Sequence, residues 1–165
     1  MSKFLKKFVS PIVYGGLDGI ITTFAVVAGS VGGDVTILTI IILGFSNLLA
    51  DGFSMAAGAY LSDTSDEDET RKKAFADGLA TFVSFNVFGL IPLVAYLLTH
   101  AYFQNPTIAF PISFVIVGIS LIILGTVKAQ LSGQKMHVEV IRTLAVGYVA
   151  AIVAFGVGFL LNYVL

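Results

Sequence analysis

The chain has no cysteine and no tryptophan among its 165 residues, and only 12% of them are charged. A soluble domain carries about twice that share of charge, roughly 25%. The missing thiols exclude disulfides and thiolate metal sites while leaving the compartment open. The net charge of −1 says nothing about nucleic acid, but no basic patch exists beyond short connections to bind it, so no nucleic-acid partner is expected. Histidine is nearly absent too. His100 and His137 stand alone, and no Ser-His-Asp or Cys-His set, H-E-x-x-H or phosphate-binding glycine loop accompanies them. Enzyme chemistry and a bound cofactor therefore have no foothold.

What remains is apolar. Hydrophobic residues make up 57% of the chain. They gather in five segments at 9–30, 36–61, 79–99, 107–127 and 143–164. Each is about 20 residues or longer, enough to cross a hydrocarbon core of roughly 30 Å. The expected fold is all-α: one transmembrane domain over 1–165, with five spans and a short charged connection at 62–78. The N-terminal MSKFLKKF resembles the charged region of a signal peptide, but no cleavage site follows and the apolar run is too long. A retained first helix is expected. Five helices are few to enclose a polar path. Small residues at helical spacing (Gly15 and Gly19; Gly147, Ala151, Ala154 and Gly158) permit close helix approach. Both points favour a homodimer.

All nine Lys and Arg residues fall before the first span, between the second and third, or between the fourth and fifth. With five spans those regions share one side, and the positive-inside rule makes it cytoplasmic. The C-terminus is then outside or lumenal, and the two histidines lie on opposite sides. The membrane is expected to be the plasma membrane in a prokaryote and vacuole-like in a eukaryote.

Within the spans, charge is costly. Asp18 lies eleven residues from Lys7 and sixteen from Asp34, with none between. An Asp at a helix centre costs about 2.5–3.5 kcal/mol even on insertion scales, so it should face protein or water and handle a cation or proton. Tyr14, Asp18 and Thr22 recur every four residues on one helix stripe. In the second span Asn47, Asp51, Met55 and Gly58 form another, with Ser54 beside it. Carboxylate, amide, hydroxyl and thioether together are divalent-metal ligands, and the thioether favours softer transition metals over magnesium or calcium. Plainer readings compete: Met55 as packing, Asn47 and Ser54 as interhelical hydrogen-bonders, Asp51 as an interfacial anchor. The acidic run Asp63, Asp66, Glu67, Asp68 and Glu69 reads foremost as a solvated loop pairing with Arg71, Lys72 and Lys73 at helical spacing.

The stretches YGGLDGIITTFAVVAGSVGG (14–33), NLLADGFSMAAGAYLS (47–62) and LGTVKAQLSG (124–133), before a small-residue-rich last helix, resemble the vacuolar iron transporter family. That family includes yeast-type vacuolar iron/manganese transporters and plant nodulin-like members. The resemblance covers almost the whole chain. It implies a five-helix protomer in a homodimer, exchanging Fe2+, and often Mn2+, for protons and carrying metal out of the cytosol. The family's first-helix aspartate aligns with Asp18 and its second-helix methionine with Met55. Three departures bear on selectivity. The connection after the second span is only about 16 residues, too short for the cytosolic metal-binding insert of plant members. Acids near the start of the first helix fall at Lys7 and Pro11. A second-helix acid is replaced by Asn47, with Asp51 one turn on. The reading is a divalent metal–proton antiporter using Asp18, Asp51, Met55, Asn47 and Ser54, in contact with lipid, metal ions and protons. The alternatives are a non-transporting membrane scaffold or regulatory subunit, and a passive cation channel.

Overall fold

A computed structural model describes residues 3–65 and 70–165. Five helices follow one another: α1 (Lys3–Gly32), α2 (Ile37–Thr64), α3 (Arg71–Phe103), α4 (Pro106–Ser132) and α5 (Met136–Val164). Their lengths of 27 to 33 residues correspond to about 40–50 Å, more than the hydrocarbon core needs. Extended apolar sequence accounts for the helices themselves, since inside lipid each backbone N–H and C=O must find its partner within the segment.

The ends are written in local chemistry. Thr36 caps α2 by accepting the Thr39 N–H at 3.3 Å, and Thr70 caps α3 by accepting that of Lys73 at 3.4 Å. Gln104 closes α3 in the left-handed region at φ 51°, and Pro106 opens α4, where its missing N–H costs nothing. Gly133, at φ +66°, makes the tight turn into α5. The helices outrun the apolar windows at their polar ends. Arg71–Asp77 belongs to α3 rather than to a connection, and Met136–Arg142 belongs to α5. Charged residues continue a helix readily once it emerges from lipid; hydrophobicity marks only the part inside.

Among the described residues, α1 is the hub and touches all four other helices, whereas α2 touches only α1 and α3, and α5 only α1 and α4. α1 and α3 run parallel along a glycine seam. A Cβ at Gly15 would lie 2.9 Å from the Thr81 carbonyl, and one at Gly19 would collide with that of Phe85. Only the absent side chain permits this approach, which supplies the van der Waals packing that replaces the hydrophobic effect between helices in lipid. The small residues Gly147 and Ala151 of α5 are likewise buried.

Two cores flank the seam. One gathers Leu17, Ile20 and Phe24 of α1 with Val117 and Leu121 of α4 and Ala151 of α5. The other joins Val27 of α1, Leu48 of α2 and Phe85 and Leu93 of α3. Phe114 and Tyr148 stack at 4.3 Å, with Phe24 edge-on to both. Hydroxyls within the spans bond back to carbonyls a turn earlier, as Thr22 does to Asp18 and Thr99 to Ala95, each at 2.8 Å. The outer faces of α2 and α5 are apolar and exposed, through Leu38, Phe45, Leu49 and Phe53 on one and Ile152, Val157 and Leu160 on the other.

Candidate functional site

Helix register decides which polar groups meet. α2 runs antiparallel to α3, with Gly44 against Leu93, Gly52 against Phe85 and Asn86, and Gly78 against Ala56. α1 runs parallel to α3, with Gly19 against Phe85. Phe85 is thus the common reference, and Asp18 and Asp51, each next to a glycine that touches it, lie at the same depth. Both are half-buried, and they are close enough to interact as like charges. Like charges held together away from bulk water favour a cation or a shared proton between them.

Met55 lies one turn from Asp51 towards the end of the bundle where the basic residues gather. There it lines a cavity of about 660 Å³ between α1, α2 and α3, together with Tyr14, Asp63, Lys73, Asp77 and Thr81. Asn47 lies one turn the other way. It lines a groove of about 650 Å³ with Gly29, Leu43 and Ala154, and its Nδ2 is buried without a hydrogen-bond partner. Ser54 is exposed and lines neither space. Asp18 and Asp51 therefore lie level, Met55 lines the cavity one turn towards the basic end, Asn47 lines a separate groove one turn the other way, and Ser54 stands apart. Among the described residues no group of three or more His, Asp or Glu side chains is placed to hold a metal ion.

The acidic run at Asp66–Glu69 lies outside the described residues, whereas Asp63 ends α2 on the cavity wall. His100 and His137 sit at opposite ends of the bundle. His137 is exposed, and His100 shares a recess of about 140 Å³ with Asp34 and Tyr96.

Two acids have surroundings that the linear sequence did not display. Asp77 is only 8% exposed, and its Oδ1 has no hydrogen-bond partner. It belongs to a buried face with Ala74, Thr81 and Phe85, and that three-to-four spacing was a signal obscured by the charged run before it. Glu139 is buried where α4 meets α5. It pairs with Lys128 at 2.9 Å and Arg142 at 3.0 Å.

The long apolar helices and the acids embedded among them define the class: a polytopic α-helical integral membrane protein. A family model described as the VIT family matches residues 9–74 and 66–159, and the chain belongs to that family, one of transporters rather than enzymes. It is similar to proteins named vacuolar iron transporter in three parasites. Identity is 28% to that of Plasmodium berghei (strain Anka) and 26% to that of Plasmodium falciparum (isolate 3D7), covering 95% of this chain and 83% of each relative. The protein of Toxoplasma gondii (strain ATCC 50861 / VEG) is 29% identical, over 95% of this chain and 75% of its own.

Proposed function

We propose that the protein transports a divalent transition metal, Fe2+ or Mn2+, out of the cytosol in exchange for protons. Membership of the VIT family and relatives named vacuolar iron transporter support a metal as cargo. The observation that carries the mechanism is the pairing of Asp18 with Asp51 at one depth of the membrane. A divalent ion neutralises both carboxylates. When it leaves, protons can take its place, which couples metal movement to proton movement in the opposite sense. Met55 adds a soft donor that favours a transition metal over magnesium or calcium. Asn47 continues the path with an amide, and Ser54 is at most an auxiliary donor from its exposed position.

The working unit in this reading is a homodimer. Asp18 and Asp51 are only half-buried on a protomer whose surroundings are lipid, and Tyr14 on the same stripe is 61% exposed. A second copy over this face would shield the acids from hydrocarbon and double the donors around an ion, removing the cost of a carboxylate facing lipid. The basic end is cytosolic by the positive-inside rule, so metal enters past Asp63 and Met55.

Purified protein in vesicles with an imposed pH gradient tests the exchange. Uptake of Fe2+ or Mn2+ driven by the proton gradient is expected. Flux that follows voltage without proton movement would mean a channel, and no flux would mean a scaffold. The orientation is checked by single cysteines in this Cys-free chain. A residue introduced at position 72 should be labelled only from the cytosolic face by an impermeant reagent, and labelling from the outer face would reverse the direction proposed.

A further inference from the structure

Resting on the reading of a divalent-metal transporter, we propose that Asp77 and Asp63 form a second divalent-cation site at the basic end of the bundle, separate from the Asp18–Asp51 pair. Asp77 is more than nine-tenths buried, lines the cavity between α1, α2 and α3, and has a carboxylate oxygen with no hydrogen-bond partner. Buried carboxylate oxygens are ordinarily satisfied, and one sealed from solvent without a partner, in a residue that lines a cavity, leaves negative charge there for a cation to answer. Asp63 lies on the wall of the same cavity, from the last turn of α2. Ser62 and Met55 add a hydroxyl and a thioether to the lining.

Three contacts hold Asp77 there. Thr81 donates to the Asp77 carbonyl at 2.9 Å, Gly15 of α1 presses on Thr81, and the neighbouring Gly78 lies against Ala56 of α2, where a Cβ would come within 2.8 Å of the Ala56 carbonyl. The register that puts Asp18 level with Phe85 puts Asp77 about two helix turns nearer the basic end, roughly 10 Å along the axis. Met55 falls between the two levels. An ion would thus pass from Asp63 and Asp77, past the Met55 thioether, to Asp18 and Asp51. Lys73 stands on the same wall and makes contacts of its own. Its positive charge weakens the hold on a cation, which suits a site that must pass the ion onward rather than keep it.

The test uses Mn2+ as the probe on full-length protein. Asp77→Asn should raise the Mn2+ concentration for half-maximal uptake about tenfold while leaving the maximal rate within twofold, and Asp77→Glu should restore most of the affinity. Asp18→Asn should instead abolish uptake and still bind Mn2+ at the cavity. That binding is read by a nitroxide on Ala59→Cys, another cavity residue, whose signal Mn2+ should broaden in the Asp18→Asn background and no longer broaden once Asp77→Asn is added. The spectroscopic arm stands even if the wild-type protein transports nothing, so failure of the transport reading and failure of this site are distinguishable. If Asp77→Asn does not fold, Asp63→Asn takes its place in both arms. Unchanged half-saturation, loss of maximal rate alone, or broadening that depends on Asp18 would each overturn the proposal.

Discussion

Two sides of the bundle share α1 but treat buried acids in opposite ways. On the α4–α5 side, Glu139 is buried with its charge answered by Lys128 and Arg142. On the α2–α3 side, Asp18 lies level with Asp51, another negative charge, and Asp77 keeps an oxygen unpartnered. A buried carboxylate with matched cations is part of the frame, because its charge is already spent. A carboxylate beside its like, or open to a cavity, still has charge to offer an ion. The difference separates structure from site without reference to residue type.

The strongest way to break this contrast is Asp18→Asn, which keeps size and hydrogen bonding while removing charge and exchangeable proton. Proton-driven metal uptake should fall roughly 100-fold or more, as expected when charge-assisted contacts worth up to about 3 kcal/mol are lost. The protein should remain folded, and its thermal midpoint should hold or rise because a poorly compensated charge has gone. Wild-type uptake by this variant would make the carboxylate structural.

Lys128→Met should act the other way round. It leaves Glu139 with Arg142, whose side chain is two-thirds exposed, as its single cation. The thermal midpoint should drop while uptake per folded molecule stays near wild type. A transport defect at unchanged stability would move Glu139 from the frame into the ion path.

Met55→Leu is a smaller change, sharpening the contrast on the site's own side. Volume is nearly conserved, so stability should shift by less than about 1.5 kcal/mol. The ratio of Fe2+ or Mn2+ to Mg2+ uptake should decline as the soft donor disappears. An unaltered ratio would return Met55 to packing.

The least effect is expected from replacing Asp66, Glu67, Asp68 and Glu69 together. Acids in a charged connection read from the sequence as solvated attract cations only through a screened field, so maximal uptake should persist and the half-saturating concentration should rise slightly. Abolished uptake with normal folding would make that run a metal site in its own right.

Much of the architecture could be read directly from residue order. Runs such as Ile108–Val127 are helices because lipid offers no other partner for the backbone, and the gathering of Lys and Arg at one end follows from alternating spans. The helix ends were less legible. Hydropathy stops at the membrane surface, whereas Thr70 and Gly133 set the real boundaries of α3 and α4 through local hydrogen bonding and φ. The stripe of Asn47, Asp51 and Met55 was visible in spacing, but spacing within one helix cannot show what stands opposite.

By itself, then, the sequence determined five membrane helices, one basic end and a mid-span carboxylate in α1, because periodicity and desolvation cost act on each segment separately. Only the tertiary structure decided that Asp51 lies level with Asp18, that Ser54 turns away, that Glu139 is neutralised and that Asp77 opens on a cavity. Those facts depend on the register between helices. Register is set by contacts such as Gly19 on Phe85 and Gly78 on Ala56, where two segments far apart in the chain meet through the absence of a side chain.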